Sequence, residues 1–365
     1  MNKEIIFFCP SIEEGGVEKN LYLTLNKLSL KFKTSLITAN RNKKKMFEKN
    51  INFISTKKYN LNISTRVIKS IYCFFLLLRN FLKKKNKYVL ISYESNIFAI
   101  IGAKLCKMHI VVRSNASPTG YLNNKFKQFV FKFFFQLADV ILVNSSEFKS
   151  KIDTILKIKS KILYNSNINK SLLKKLSRKK ISKFKIAKKT YKLIIVGRLV
   201  DQKDHLTLLK ALNLLKKEIN FYLLIIGKVK LKNKLQDFCK NNKINNQIKF
   251  LGFKNNIYPY IRWCDALILS SKYEGSPNVI IEAISMNRTV ISSKCPTGPK
   301  EILNNGKAGF LFKTSDHKDL AYQIHKSYFN KRDAKNRRKN ALQSIDRYSI
   351  DKNTNSLIKI LNSLK

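Results

Sequence analysis

A polar loop that runs into an apolar helix, within residues 271–303, carries residue types suited to holding a charged ligand. Ser276 and Pro277 are typical of a helix start, with serine as the N-cap and proline preset for the first turn. The backbone N–H groups up to Asn278 and Val279 then lack intrahelical partners, and no acidic side chain in the first turn offsets the helix dipole. Such a helix end predicts a phosphate site.

Two carboxylates flank this predicted helix start. Glu274 lies in the loop before it, and Glu282, eight residues later, is expected about two turns inside the helix. At this spacing one carboxylate can reach a group held beyond the helix tip while the other meets a group beside the helix. The alternative is a solvated pair of glutamates on a surface helix.

A second constellation, within residues 191–212, joins two cations to a buried strand and a helix. Arg198 follows the strand LIIVG, and Lys203 comes five residues later, just before the helix. Placed at a strand end and a helix start, the two cations can clamp a diphosphate without a metal ion. The alternative is a chance pair of surface cations in a lysine-rich chain.

Further candidates follow the apolar strands of the first half of the chain. Gly15 and Gly16 lie at a turn from strand to helix, where glycine lets a ligand approach the backbone, although an ordinary tight connection has the same pattern. Glu94 follows the strand YVLIS, and Arg113 and Asn115 end the strand HIVVR. For Arg113 the alternative is a solvated charge at a strand end.

Strand-like and helix-like segments alternate along the chain. This pattern predicts α/β architecture with parallel sheets covered on both faces, and ligands then bind at the carboxyl ends of the strands. Because 365 residues exceed one ordinary core, we expect two domains.

The charge is strongly unbalanced, with 73 Lys and Arg against 22 Asp and Glu and a net charge of +51. A partner with negative charge is therefore expected, such as nucleic acid, an anionic membrane face or a phosphate-bearing substrate. A basic nucleic-acid-binding protein is one alternative. We expect no nucleic acid partner, because no zinc finger, RNP aromatic set or helix-turn-helix is recognisable.

The six cysteines and four histidines lack the spacing of metal ligands or of a disulfide framework, so we expect no metal and buried thiols in a reducing compartment. The N-terminal stretch does not resemble a signal peptide. The apolar runs fall short of the ~20 residues that cross a bilayer. These features favour the cytoplasm.

Two segments, 65–87 and 123–139, mix aromatic and aliphatic residues with Lys and Arg. As helices they would suit contact with anionic headgroups, which predicts a protein on the inner face of the plasma membrane. The alternative is that each helix only covers a sheet.

The E-x7-E string, with Gly275, Pro277 and Ala283 inside it and TGPKEIL and GFLF after it, resembles the retaining glycosyltransferases of family 4, which have the GT-B fold. GGVEKNL and the GR-x4-K string, with Gly197, resemble the same family. The polar loops after the first-half strands look like the bacterial branch that builds lipid-linked or surface polysaccharides, lipopolysaccharide included.

This resemblance implies two Rossmann-like doubly wound domains that face a central cleft. Residues 1–168 would bind the acceptor, 169–190 would form a basic linker, 191–348 would bind the nucleotide sugar, and 349–365 would pack back on the first domain. It also implies transfer of a hexose or N-acetylhexosamine from a nucleoside diphosphate, UDP in the first instance, to a glycan or lipid-diphosphate-linked acceptor. The nucleotide sugar is then a substrate, and no cofactor is expected.

Residue roles are implied in the same way. Arg198, Lys203 and the helix end would hold the diphosphate, Glu274 would hold sugar hydroxyls, and Glu282 would bind the ribose. The donor-binding positions would be Gly15, Gly16, Gly197, Gly275, Ser276, Asn278, Val279 and Glu282. Glu94, Arg113 and Asn115 would contact the acceptor or the sugar.

Two departures from the family pattern keep other functions open. The family's histidine after the strand YVLIS is absent, and only Gly227 remains of a glycine-rich turn beside the nucleotide. An inactive scaffold of the same fold is therefore an alternative. A sugar epimerase lacks both acidic and basic strings, and a phosphorylase needs a pyridoxal-phosphate lysine that we do not identify.

Overall fold

A computed structural model of the chain divides into two compact units, Met1–Asn167 with Tyr348–Lys365, and Ile168–Arg347. The structure describes residues 4–13, 15–55, 65–84, 88–115, 122, 124–166, 168–182, 184–228 and 232–364.

The described residues of the first unit form a parallel sheet of seven strands in the order β3-β2-β1-β4-β5-β6-β7. The strands are β1 (Glu4–Phe8), β2 (Thr34–Ile37), β3 (Asn52–Ile54), β4 (Tyr88–Ser92), β5 (His109–Arg113), β6 (Val140–Val143) and β7 (Lys161–Ile162). They are apolar runs because helices cover both faces of a parallel sheet.

Helices lie on both faces of this sheet. In the described residues before the second unit these are α1 (Gly16–Ser29), α2 (Arg66–Phe81), α3 (Asn96–Leu105), α4 (Lys125–Gln136) and α5 (Ser146–Leu156). Successive side chains of β1 point to opposite faces. Ile6 and Phe8 join the core under α2 to α5, whereas Ile5 and Phe7 join the core under α1.

The described residues of the second unit form a parallel sheet of six strands in the order β10-β9-β8-β11-β12-β13. The strands are β8 (Tyr191–Val196), β9 (Phe221–Ile226), β10 (Ile248–Gly252), β11 (Ala266–Leu269), β12 (Thr289–Ser293) and β13 (Phe310–Phe312). The predicted doubly wound α/β class is confirmed in both units.

The helices of the second unit cover its sheet: α6 (Lys170–Ser177), α7 (His205–Leu215), α8 (Lys232–Asn241), α9 (Tyr258–Trp263), α10 (Asn278–Ser285), α11 (Pro299–Ile302), α12 (His317–Phe329) and α13 (Lys331–Ser344). On one face, Leu193 and Ile195 of β8 pack with Leu208 and Leu212 of α7 and Leu320 of α12, all within 2% of full burial.

The basic stretch expected as a linker, 169–190, differs from the prediction. It lies in the second unit and begins with α6, whose N-cap side chain, Asn169, accepts a hydrogen bond from the backbone of Leu172 at 3.0 Å. Further along, the Phe184 ring lies 5.0 Å from that of Trp263. Apolar residues between the lysines therefore fix this stretch to the unit.

The last helix of the chain, α14 (Ile350–Asn362), belongs to the first unit. Leu357 and Leu361 are buried in the core under α1. At the surface, the ammonium of Lys27 lies 2.8 Å from a carboxylate oxygen of Asp351. The chain therefore returns to its first unit after completing the second.

The two segments that mix apolar and basic residues form α2 and α4. Cys73 and Leu77 of α2 and Phe135 of α4 carry one side of each helix into the core. Residues 85–87 and 123 of the predicted segments lie outside the described residues. Within the part of the chain that is described, no helix combines the length and apolarity needed to cross a membrane.

Candidate active site

The strand order of the second unit creates a switch point between β8 and β11. From β8 the chain continues through β9 to β10 on one side, and from β11 it continues through β12 to β13 on the other. In open α/β sheets, ligands bind outside the carboxyl ends of the two strands at such a point. The loop after β8 carries Arg198 and Lys203, and the loop after β11 carries Glu274.

Hydrogen bonds tie these two loops together. The backbone N–H of Lys272 donates to the carbonyl of Gln202 at 2.8 Å, and the Gln202 side-chain amide donates to the carbonyl of Tyr273 at 2.9 Å. The Ser270 hydroxyl donates to the carbonyl of Lys203 at 2.9 Å. The positions of Lys203 and Glu274 are therefore fixed relative to each other by backbone contacts.

Lys203 and Glu274 form an ion pair at this edge of the sheet, from the lysine ammonium to Glu274 Oε1. Their side chains are only 17% and 10% exposed, so water and salt screen the pair little. Ser271 Oγ donates to the same oxygen at 2.6 Å. Among the described residues, none hydrogen-bonds Oε2, which leaves one carboxylate oxygen of Glu274 able to accept from a ligand hydroxyl.

The loop of Glu274 is held from the side of β12. The Thr297 hydroxyl donates to the Glu274 carbonyl, and the Glu274 backbone N–H donates to the Pro296 carbonyl at 3.4 Å. Gly298 has φ +87°, and a Cβ there would lie 2.5 Å from the Gly275 carbonyl oxygen. Glycine is needed at position 298 both for this backbone conformation and for the close approach.

Arg198 precedes Lys203 by five residues but does not take part in the ion pair. Its side chain is exposed, and it has no hydrogen bond or ion pair with the described residues. A guanidinium without a carboxylate partner at the switch point is available to bind a phosphate bidentately.

Two glycines let the ends of β8 and β9 approach each other. A Cβ on Gly227 would lie 1.8 Å from the Gly197 carbonyl oxygen, so no larger residue fits without moving the strand end. A Cβ on Gly197 would lie 3.3 Å from the Lys203 side chain, which crosses over it. Gly227 is thus required by packing. Residues 229–231 of the expected glycine-rich turn lie outside the described residues.

The helix that begins near Glu274 starts later than predicted. Its N-cap is Pro277, not Ser276, and α10 begins at Asn278. Glu282 is therefore the fifth residue of the helix, about one turn inside it and not two. Among the residues that the structure describes, no side chain caps α10, and its first turn has no acidic residue, so the dipole at its N-terminus is not offset locally.

Glu282 is buried, with 3% exposure. The Tyr258 hydroxyl, from the start of α9, donates to Glu282 Oε1 at 3.5 Å. A solvated pair of surface glutamates is excluded, because Glu274 and Glu282 are both buried.

A cation and an aromatic ring lie together beyond the end of β9. The Lys228 ammonium lies 5.2 Å from the centroid of the Phe253 ring, which is 42% exposed.

In the first unit, Arg113 is buried at 2% exposure, so the alternative of a solvated strand-end charge is wrong. Its guanidinium donates to Asn115 Oδ1 at 3.1 Å and to Asn165 Oδ1 at 2.9 Å, and it lies 5.5 Å from the Tyr93 ring. The Asn115 amide in turn donates to the Tyr93 carbonyl at 3.0 Å. Arg113 therefore positions Asn115, two residues beyond the end of β5.

Gly15 and Glu94 lie at the carboxyl ends of β1 and β4, which are neighbours in the sheet. Gly15 is the N-cap of α1 and Gly16 its first residue. A Cβ on Gly15 would lie 2.7 Å from a Glu18 carboxylate oxygen. Burial raises the pKa of Glu94 to about 7, and the nearby carboxylate of Glu18 adds to the effect.

Comparison with known proteins decides the family. The sequence profile of the family described as glycosyl transferases group 1 matches residues 177–365. The chain belongs to this family. As a glycosyltransferase it is an enzyme.

Two relatives of the glycosyltransferase differ in how much they share with it. An uncharacterised glycosyltransferase of Methanocaldococcus jannaschii is 37% identical over 180 residues, which cover 47% of this chain and 44% of the relative. The N-acetylgalactosamine-N,N'-diacetylbacillosaminyl-diphospho-undecaprenol 4-alpha-N-acetylgalactosaminyltransferase of Campylobacter jejuni is 27% identical over 332 residues, covering 86% of this chain and 87% of the relative.

The fold of the glycosyltransferase matches solved structures along its whole length. The crystal structure of Anabaena HepE in complex with UDP and glucose has a TM-score of 0.77 and 17% identity, and covers 99% of this chain and 100% of that one. At this identity the likeness shows the fold, which confirms GT-B.

Several residues that shape the site of the glycosyltransferase are not predicted by the sequence analysis. Ser271 and Thr297 hold Glu274, and Tyr258 contacts Glu282. Tyr93 and Asn165 surround Arg113. The string TGPKEIL resembles the family, but its sequence alone does not predict the contacts of Thr297 and Gly298 with the Glu274 loop. The hydroxyl three residues before Glu274 was the available signal for Ser271.

The raised pKa of Glu94 predicts a pH-dependent stability of the first unit. Because the folded-state pKa of about 7 exceeds the ordinary 4.5, the folded state holds the proton more tightly between these values. The free energy of unfolding should then fall by up to about 3 kcal/mol as the pH rises through this window. Denaturant unfolding at pH values on either side of the window measures it.

Glu94→Gln removes the titrating group and should flatten this dependence, whereas Glu48→Gln, at an exposed position of the same unit, should not. An equal pH slope in the wild type and in Glu94→Gln would contradict the assignment.

Proposed function

We propose that the chain is a retaining glycosyltransferase of family 4 that transfers a hexose or N-acetylhexosamine from UDP to a lipid-diphosphate-linked glycan, in the assembly of a surface polysaccharide or lipopolysaccharide. The observation that carries the proposal is the Lys203–Glu274 pair beside an unpartnered Arg198 at the switch point of the described second unit. HepE, with UDP and glucose, and the Campylobacter relative, named for a diphospho-undecaprenol substrate, support the donor and acceptor classes.

The proposed donor site holds the diphosphate by charge. Arg198 contributes two parallel N–H donors and Lys203 a point charge, and the N-terminus of α10 contributes the backbone N–H groups of Asn278 and Val279. These groups neutralise the charge that builds on the diphosphate as the bond to the sugar breaks. The chain's own cations supply this neutralisation, so we propose no metal ion or other cofactor.

The proposed sugar contact is Glu274. Its Oε1 is occupied by Lys203 and Ser271, which orients Oε2 to accept from a hydroxyl of the transferred sugar. Its negative charge also offsets the positive charge that develops on the sugar ring. Glu282, buried beside Tyr258, is proposed to bind the ribose.

The proposed transfer retains the configuration at the anomeric carbon. The bond between that carbon and the diphosphate oxygen breaks, and the acceptor oxygen bonds to the same face of the sugar. The acceptor proton passes to the departing phosphate oxygen, so no protein nucleophile is needed. Glu94, Arg113 and Asn115 remain candidates for contacts to the acceptor or the sugar, and Gly15 and Gly16 remain candidates for contacts to the donor.

The proposed location is the cytoplasm, at the inner face of the plasma membrane where a lipid-linked acceptor is found. All six cysteines are buried thiols, which suits a reducing compartment. We assign the basic excess to phosphate-bearing substrates and anionic lipid, and we expect no nucleic acid partner.

A panel assay tests the proposal. Purified protein is incubated with UDP-hexoses, UDP-N-acetylhexosamines and GDP-sugars in the presence of a polyprenyl-diphosphate-linked glycan, and nucleotide release and glycolipid formation are followed. We expect transfer from one UDP-sugar, in EDTA as well as without it, with the donor's anomeric configuration kept in the product. An inverted product or loss of transfer in EDTA would contradict the retaining, metal-independent mechanism.

A further inference from the structure

The helix α4 exposes three phenylalanines on one side. Phe126, Phe129 and Phe133 are 74%, 69% and 55% exposed. Their spacing of three and four residues places them along one stripe of the helix. The opposite side already packs in the core through Phe135, which is 1% exposed. The three exposed phenylalanines therefore do not contribute to the core of the first unit.

The helix α2 repeats this arrangement. Ile68, Ile71 and Phe75 are 50%, 40% and 61% exposed and have the same spacing as the three phenylalanines. Here too the other side of the helix, with Cys73 and Leu77, is in the core.

The helix α3 lies between α2 and α4 and contacts both. Gly102 of α3 allows a close approach, since a Cβ there would lie 2.6 Å from Leu77 of α2. The two stripes therefore belong to one side of the first unit. We call this surface the outer apolar face, defined by Ile68, Ile71, Phe75, Phe126, Phe129 and Phe133.

The chain around this face is uniformly basic. Segments 65–84, 96–108 and 124–138 contain ten Lys and Arg and no Asp or Glu. At about 100° per residue, Lys125 and Lys132 fall on one side of the phenylalanine stripe and Lys127 on the other. Within the described part of the chain, Arg66 lies 3.2 Å from Glu13 and Lys104 lies 4.0 Å from Asp139, both of them acids outside these segments.

We propose that the outer apolar face docks the enzyme on an anionic lipid bilayer. The aromatic and aliphatic side chains enter the boundary between headgroups and acyl chains, while the flanking lysines stay at the level of the lipid phosphates. A second copy of the chain fits less well, because pairing this face with itself would bring two basic surfaces together without an acidic partner. The inference rests on the proposed function for its lipid-linked acceptor, although the binding is measured without any transfer.

Flotation with vesicles tests the docking surface. The full-length protein is mixed with vesicles of phosphatidylglycerol and phosphatidylcholine, or of phosphatidylcholine alone, at low and high salt. We expect flotation with the anionic vesicles, weakened by salt. Phe126→Ser, Phe129→Ser and Phe133→Ser together should lower the partition coefficient at least about tenfold, because three apolar side chains no longer leave water.

The control removes exposed apolar side chains from a different surface. Tyr322 and Leu214 of the second unit are 61% and 50% exposed, and Tyr322→Ser with Leu214→Ser should float like the wild type. Lys125→Gln with Lys127→Gln should weaken binding to anionic vesicles only. Circular dichroism and UDP affinity, unchanged in all variants, show that the fold and the donor site are intact.

Three results would overturn the docking surface. Equal flotation of the wild type and the triple serine variant is the first, and no flotation of either while UDP still binds is the second; both leave the proposed function standing. The third is a dimer in sedimentation equilibrium that the triple serine variant dissociates, which would make a second copy the occupant. Flotation without turnover of any UDP-sugar would instead reject the proposed function and leave the docking surface intact.

Discussion

Arg198→Ala should lower kcat for sugar transfer by about 10²–10³-fold. The guanidinium is exposed at the switch point without a partner among the described residues, so its proposed role is to meet charge that the diphosphate gains in the transition state. Loss of one such preorganised donor costs rate on this scale. Initial rates at saturating donor and acceptor measure the effect, and UDP affinity should fall less than kcat because the charge is larger in the transition state.

Arg332→Ala is the matched control for this prediction. Arg332 is an exposed arginine of α13 in the same unit and belongs to no candidate site. Its replacement should leave kcat unchanged. Arg198→Lys should recover only part of the rate, because lysine keeps the charge but not the paired donors. Full turnover by Arg198→Ala would reject the role given to this residue.

Glu274→Gln should also lower kcat by about 10²–10³-fold, with UDP affinity close to that of the wild type. Glutamine keeps the size of the side chain and an oxygen for Ser271 and Lys203, but it loses the negative charge that faces the developing positive charge on the sugar. Single-turnover rates with saturating donor separate this effect from donor binding.

The free energy of unfolding of variants at position 274 provides a second test. Glu274→Ala leaves the partly buried ammonium of Lys203 without its partner, so it should cost about 1–3 kcal/mol of unfolding free energy, while Glu274→Gln costs less. Glu218→Gln, at an exposed position of the second unit, is the control for both measurements. Transfer at the wild-type rate by Glu274→Gln would remove the carboxylate from the mechanism.

The sheets could be predicted from the sequence because parallel strands covered on both faces are continuous apolar runs. YVLIS and HIVVR became β4 and β5 with the same bounds, 88–92 and 109–113. The residues at the strand ends could be found for the same reason, since topology places every carboxyl end of a parallel sheet at one edge.

The start of α10 could not be predicted, because distant contacts decide it. Locally, Ser276 and Pro277 favour a helix one residue earlier. The loop after β12 instead holds Glu274 through Thr297, and a Cβ on Gly298 would lie 2.9 Å from Pro277 Cδ. These contacts keep Pro277 extended at ψ 104°, and the helix begins after it.

The burial of Arg113 also could not be predicted from the residues near it in sequence. A charged residue at a strand end is usually solvated, because burying a charge without partners is costly. Here the partners are the Asn165 amide, 52 residues away in sequence, and the Tyr93 ring. The basic stretch at 169–190 shows the same limit, since its composition resembles a linker while its apolar residues pack on the second unit.

A crystal structure of the protein with UDP would show directly which groups bind the diphosphate. We expect the diphosphate at the switch point of the second unit, with its oxygens within hydrogen-bond distance of Arg198, Lys203 and the first backbone N–H groups of α10. UDP bound with its diphosphate away from these groups would refute the proposed donor site.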